Sequence, residues 1–308
     1  MRQTGKKKDS IPWHQAFLIA LVILLALLLV FSRGYRASRR VSVPSGQAEY
    51  PGKQTDPVSS DREPQSTYSM DEPFKAEQRS APDHGPGAIT AEMLLGQIDP
   101  AGDPDFVSVS QAHASRPGMF LRREAYDAFL QMHKAALADG ISLTILSATR
   151  PFHHQKRIWE DKWNGRRVLY GDILAPDIED PTERALEILR FSAMPGTSRH
   201  HWGTDIDLNS LQNAYFRTGE GKAVYDWLTT HALAYGFCQP YTAHGDRRAG
   251  GYEEEKWHWS YIPLSGQFLR KYGEQITYED IRGFDGDTLA ERLQVIEKFV
   301  LDINMACY

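Results

Sequence analysis

The stretch Ser198-Arg199-His200-His201-Trp202-Gly203-Thr204-Asp205-Ile206-Asp207 packs two imidazoles, a glycine and two carboxylates into ten residues. Further along comes Glu255-Lys256-Trp257-His258. Together they offer two nitrogen ligands, one oxygen ligand and a spare carboxylate. A catalytic zinc site needs that inventory: three protein ligands, an open position for water, and a base to activate it.

Geometry constrains how the first segment closes on one ion. His200 and Asp207 are seven residues apart. A continuous strand would separate them by ~23 Å, and a continuous helix by ~10 Å along its axis. Ligands bound at about 2 Å from a metal must lie much closer together. The chain must therefore bend sharply between them. Gly203 sits where the bend falls, and glycine accepts backbone angles that other residues resist. Thr204 to Leu208 alternates polar and apolar, which predicts a short strand with Asp205 and Asp207 on one face. The aromatic-rich run Trp257 to Tyr261 predicts a second strand.

Ser-x-His-x-x-Gly-x-x-x-Asp followed by Glu-x-Trp-His resembles the signature of the zinc D-alanyl-D-alanine carboxypeptidases and their relatives. These include vancomycin-resistance-type D,D-carboxypeptidases and D,D-dipeptidases, L,D-carboxypeptidases and some phage endolysins. Ser198, His200, Gly203, Asp207, Glu255, Trp257 and His258 carry the match. The resemblance implies one zinc ion held by His200, Asp207 and His258, with Glu255 as general base. Asp205 departs from the pattern, because the family usually has a small residue there; the motif spacing selects Asp207 as the ligand.

Upstream, 141–147 reads as a strand, and Phe152 to Trp163 reads as a helix after Arg150-Pro151. Ser147-x-x-Arg150 with Gln155 is similar to the family's Ser-x-x-Arg-x-x-x-x-Gln segment. The resemblance brings Arg150 to the site, where its fixed charge would hold a developing oxyanion or grip a peptide carboxylate. The segment from Val224 to Phe237 also resembles the family's helix between the two metal segments. The likeness spans roughly residues 120 to 262 in the family's order.

Other residues read more plainly. His14, His84, His113, His133 and His231 read as packed or surface histidines, and His153 and His154 as a solvated helix face. His201 adjoins a ligand, and two adjacent residues seldom share one ion. It reads equally as a supporting or substrate-facing residue and as a plainly exposed one. Ser198 has no base placed beside it by sequence and is not read as a nucleophile; a role near substrate or ligand is expected for it, as for Ser147 and Gln155. Trp257 and Trp259 read as packing residues ahead of substrate platforms, with room for one of them to serve as both. His244 lies in a glycine- and charge-rich loop, 243–251. Cys238 and Cys307 have no metal-ligand spacing, and sequence leaves their pairing open.

The N-terminus addresses location. Residues 1–10 read as a basic cytoplasmic tip. Ala16 to Phe31 is an unbroken apolar run inside 11–32, close to the ~20 residues that span a bilayer. Bulky and basic residues follow it, with no Ala-x-Ala-like cleavage site, so an uncleaved signal anchor is expected. Residues 33–90, rich in Ser, Pro, Gln, Gly and charge, read as a flexible tether. The body, 91–308, is expected outside the cytoplasm, facing the cell wall. The first 40 residues hold eight basic residues and one acid, a balance of +7; the whole chain is −5, so residues 41–308 carry −12. An acidic body argues against nucleic-acid binding.

Helices at 122–137, 152–163, 182–191, 222–235 and 287–304 around short strands predict an α+β fold: a small antiparallel sheet flanked by helices. The resemblance implies the fold shared with the hedgehog signalling domain. The expected function is hydrolysis of peptidoglycan stem peptides, foremost by a D-alanyl-D-alanine carboxypeptidase. An L,D-carboxypeptidase or an endopeptidase would use the same metal site. A zinc-bearing cell-wall binding module is the alternative of another class, and Glu255 argues against it.

Overall fold

The computed structural model describes residues 88–245 and 248–308. The expected tip, anchor and most of the tether lie outside the described residues. Among the described residues, no helix is long and apolar enough to cross a membrane.

Helix α1 (Ala91–Leu94) starts at Thr90, whose hydroxyl accepts from the Met93 amide. Strands β1 (Phe106–Ser108) and β2 (Phe120–Arg122) pair antiparallel. Helix α2 (Arg123–Ala138) follows, and it buries Ala125, Tyr126, Phe129, Met132 and Ala136, a stripe at three- and four-residue spacing. Strand β3 is only Ile145–Ser147. The expected start of this strand at 141 is replaced by side-chain bonding: Asn209 donates to the Ser142 carbonyl at 2.8 Å and accepts from the Thr144 amide at 3.2 Å. Helix α3 (Phe152–Trp163) matches its expected span. Helix α4 (Pro181–Leu189) is capped by Asp180, which accepts from the Thr182 and Glu183 amides, with proline at the first helical position.

Strand β4 (Asp205–Leu208), helix α5 (Gly219–His231), strand β5 (Phe237–Cys238), strand β6 (His258–Tyr261) and helix α6 (Ile262–Gln275) complete the regular elements. The larger sheet runs β3-β4-β6-β5 and is antiparallel throughout. Small antiparallel sheets among helices make this a mixed α+β body, as expected.

The period of two along β4 and β6 decides what each sheet face does. Ile206, Leu208 and Trp259 enter a core with Phe129 and Met132 of α2 and Val224 and Leu228 of α5. Asp205, Asp207, His258 and Ser260 take the opposite positions, and the register sets Asp207 across from His258 and Asp205 across from Ser260. A second core gathers Trp159, Trp202, Phe268, Tyr272 and the C-terminal apolar residues.

The expected terminal helix over 287–304 does not form. The segment breaks into a 3-10 turn at Asp287–Leu289 and a π-helical turn at Ile296–Val300. Gln294 takes φ +53°, so the right-handed helix cannot run through it. Leu293, Val295, Ile296, Phe299, Val300 and Ile303 are all buried there, too broad an apolar surface for one face of a straight helix. Cys307 pairs with Cys238 in a disulfide, with Cα atoms 5.7 Å apart, which fastens the C-terminus to β5.

Candidate metal centre

His200 lies in a 3-10 turn, Arg199–Trp202, that ends at Gly203 with φ +73°. This is the bend the spacing requires. A Cβ at Gly203 would meet the Phe106 ring at 2.4 Å, so backbone angle and close packing both demand glycine. The turn swings His200 over β4, whose Asp207 faces His258 on β6.

One ligand atom from each of His200, Asp207 and His258 lies within 4.8 Å of the other two, and all three residues are buried. His200 Nε2 and Asp207 Oδ1 sit 3.3 Å apart, and neither has a hydrogen-bond partner. Buried polar atoms are nearly always satisfied, so a pair of orphans aimed at one point fits a cation. The second nitrogens are already committed. His200 Nδ1 bonds the Ala148 carbonyl at 2.8 Å, which makes it the donor and leaves Nε2 a lone pair. His258 Nε2 bonds Asp205 Oδ2 at 2.9 Å and leaves Nδ1 toward Asp207 Oδ1, 3.6 Å away. Outer partners of this kind fix the tautomer of metal-binding histidines.

Asp205 is thereby explained. It is fully buried and accepts four hydrogen bonds, from Arg199, His258, Thr204 and Ser260. Burial alone would raise its pKa, but Arg199, then His258, outweigh that and hold the carboxyl far below its usual range. Arg199 escaped the sequence reading. The available signal was Asp205 itself, since an acid beside a buried site needs a nearby counter-charge.

Glu255 stands with Oε2 3.0 Å from His258 Nδ1. Burial raises its pKa, and the Asp207 charge adds to this against the opposing pull of His258 and Arg150. Asp207 goes the other way: burial is outweighed by His200, His258 and Arg150, and it falls to about 2. His200 is pushed down by burial and by Arg150. Burial would also lower His258, but Asp205, Glu255 and Asp207 push it up to about 9. A cation at this point would compete with that proton for Nδ1.

Arg150, Ser192, Ser198, Tyr241, Tyr252 and Glu255 line the cleft above His200 and His258. The Arg150 Nε is buried without a partner. Its amide bonds the His200 carbonyl at 2.9 Å, so guanidinium and ligand are placed together. Tyr241 packs edge-on against the His258 ring, centroids 4.9 Å apart. Tyr241, Tyr252 and Ser192 carried no motif and were not foreseen; they sit in segments with no fixed spacing to the ligands.

The remaining expected residues divide. Ser198 lines the cleft. His201 does not face substrate: it is fully buried, bonding the Arg150 carbonyl through Nδ1 and accepting from the Gly196 amide through Nε2. Burial lowers it to about 3, so it is a neutral strut between two cleft-wall loops. Gln155 is buried and donates to the Ala193 carbonyl at 2.7 Å, bracing the wall from beneath. Ser147 pairs with Asp207 in the sheet and stays outside the cleft lining. Trp257 belongs to the core against Phe191, not to the cleft surface.

Residues 118–264 match the VanY family model, described as D-alanyl-D-alanine carboxypeptidase. A Bacillus subtilis protein named as a carboxypeptidase, YodJ, is 30% identical over 149 residues, which is 46% of each chain. The D-alanyl-D-alanine carboxypeptidase of Enterococcus faecalis is 28% identical over 130 residues, 42% of this chain and 44% of that one. The chain thus spans less than half the length of either relative. Among solved structures, the vancomycin-resistance D,D-pentapeptidase VanY in complex with Zn(II) is 21% identical, with TM-score 0.40 over 60% of this chain and 93% of that one. The LdcB LD-carboxypeptidase is also 21% identical, with TM-score 0.42 over 61% of this chain and 81% of that one. Over residues 118–264, just under half of its length, this chain is similar to the VanY family of D-alanyl-D-alanine carboxypeptidases.

Proposed function

We propose that the chain is a zinc-dependent peptidase that hydrolyses peptidoglycan stem peptides, acting as a D-alanyl-D-alanine carboxypeptidase. The observation that carries this is the convergence in one cleft of two orphaned ligand atoms, from His200 and Asp207, with His258 and the buried Glu255 that bonds its Nδ1. The VanY family match supports the substrate class.

His200, Asp207 and His258 would hold one zinc ion, which when bound polarises the scissile carbonyl and makes a water acidic. Glu255 takes the proton of the attacking water; its raised pKa suits it to accept that proton and then deliver it to the departing amine as the C–N bond breaks. Arg150 brings an unpartnered Nε–H to the carbonyl oxygen as negative charge develops there. No covalent intermediate is needed. Ser198 lines the cleft beside these groups as a substrate contact.

We further propose a fold of the hedgehog and D,D-peptidase type for the body. The apolar run within 11–32 would anchor it in the cell membrane, 33–90 would tether it, and the catalytic body would lie on the outer side, where its substrate is. The unbroken apolar run Ala16 to Phe31 supports the anchor, and the place of the substrate in the cell wall supports the outward orientation of the body.

The test is incubation of the full chain with defined muropeptides, with and without chelator, and mass spectrometry of the products. Loss of one terminal alanine, abolished by chelator and restored by zinc, is expected. Two peptide fragments would make it an endopeptidase, and intact peptide with zinc bound would make it a binding module.

A further inference from the structure

Helix α3 supplies more of the cleft than its motif residues. Lys162 lies seven residues after Gln155, two turns on, along the same side of the helix. Its Nζ donates to Ser192 Oγ at 2.5 Å. Ser192 is buried and lines the cleft with Arg150 and Glu255. Gln155 grips the adjacent residue's carbonyl, Ala193 O, so α3 fixes this wall at two consecutive residues.

The charge balance is unusual. Lys162 is partly buried, yet among the described residues neither it nor Arg150 is paired with a carboxylate. Removing an ammonium from water without a counter-ion is costly. The cost shows in its pKa, pushed down to about 8 by burial, with Arg167 and Arg150 adding to this and Glu255 opposing. An anion placed there would relieve it. Ser192 is oriented to help: its Oγ accepts from Lys162, so its own proton is free to point into the cleft.

We propose that Lys162 and the Ser192 hydroxyl form an anion subsite that receives the free C-terminal carboxylate of the substrate. The inference rests on the peptidase reading above and sharpens it: the enzyme requires a peptide that ends one residue past the scissile bond. An endopeptidase substrate would bring a neutral amide to the same place and leave Lys162 without a counter-ion.

The experiment is binding first and hydrolysis second, on the full chain. In a Glu255→Ala background, titration calorimetry compares a short acylated peptide ending in D-Ala-D-Ala with the same peptide amidated at its C-terminus. The acid is expected to bind at least about tenfold more tightly. Lys162→Met should remove most of that preference and leave amide binding unchanged, while Lys162→Arg should keep much of it. Equal binding of acid and amide to the parent, or equal weakening of both by Lys162→Met, overturns the subsite and makes Lys162 a structural strut. Hydrolysis by the wild-type chain separates the two readings. If it cleaves acid and amide equally well, the peptidase stands and the subsite falls. If it cleaves neither while the Lys162-dependent binding preference persists, the subsite stands and the peptidase reading falls. If neither peptide binds or is cleaved, both fall.

Discussion

His258 Nε2 lies 2.9 Å from Asp205 Oδ2, and the same oxygen lies 3.0 Å from Arg199 Nε. The carboxylate therefore aims one histidine nitrogen at the ligand cluster and neutralises a buried guanidinium. Asp205→Ala should destabilise the fold by about 3–5 kcal/mol, because it strands Arg199 without a partner. Metal affinity should fall about 10–100-fold as the His258 ring loses its brace. Arg199→Met added to Asp205→Ala should recover part of the stability but not the affinity. Urea denaturation and competition with a metal chelator measure the two effects. Full recovery of affinity in the double variant would show that Asp205 does not orient His258.

Glu255→Gln keeps the shape of the side chain and removes the base. Zinc content by elemental analysis should stay at one per chain, while kcat falls at least about a hundredfold. Since the base works only when ionised, wild-type kcat/KM should decline as pH drops through the Glu255 pKa, which burial raises above the ordinary carboxyl value. A variant that turns over normally would remove Glu255 from the chemistry.

His154 is lowered from 6.5 to about 4 by burial first, then by Arg150, Arg157, Arg116 and His153. Its folded pKa lies below its unfolded one, so between these values the unfolded chain binds more protons. Its effect on stability is therefore nil above pH 6.5 and becomes a loss as pH falls from 6.5 toward 4. Proton NMR should find the ring neutral at pH 5.5, and His154→Gln should flatten part of the decline in melting temperature over that range. An ordinary titration near 6.5 would contradict the packed environment.

The Cys238–Cys307 disulfide closes a loop with a sequence separation of 69. Loop-closure entropy puts its contribution at about 4 kcal/mol. Cys307→Ala should lower stability by that order and also lower activity. Asn304 donates to the Gln239 carbonyl, and Gln239 in turn donates to the carbonyls of Tyr241 and Glu255, so loosening the tail reaches the cleft. Denaturation and peptidase assays on the oxidised wild type and the variant check both. Unchanged activity would confine the bridge to stability.

Much of the centre was legible before folding because ligand spacing is a local constraint. The seven-position spacing of His200 and Asp207 forced a bend, and only one glycine lay between them. The alternation of Thr204 to Leu208 told which residues share a sheet face, since side-chain direction in a strand follows from position alone. Helix α3 was legible for a similar reason: proline before it and buried side chains at helical spacing mark a start and a face. The terminal segment was not, because its crowded apolar residues satisfy several shapes locally, and only the surfaces around them select the break at Gln294.

What sequence determined by itself was chemistry at fixed spacing: a candidate ligand set, a candidate base and the bend that brings them together. What tertiary structure decided was every relationship between segments far apart in the chain. It paired Asp205 with Arg199 and His258, turned His201 inward as a strut, sent Trp257 to the core and joined Cys238 to Cys307. It also set Lys162 behind Ser192 on the cleft wall. Those outcomes depend on which surfaces pack and which buried charges find partners, and burial is a property of the folded whole rather than of any stretch of sequence.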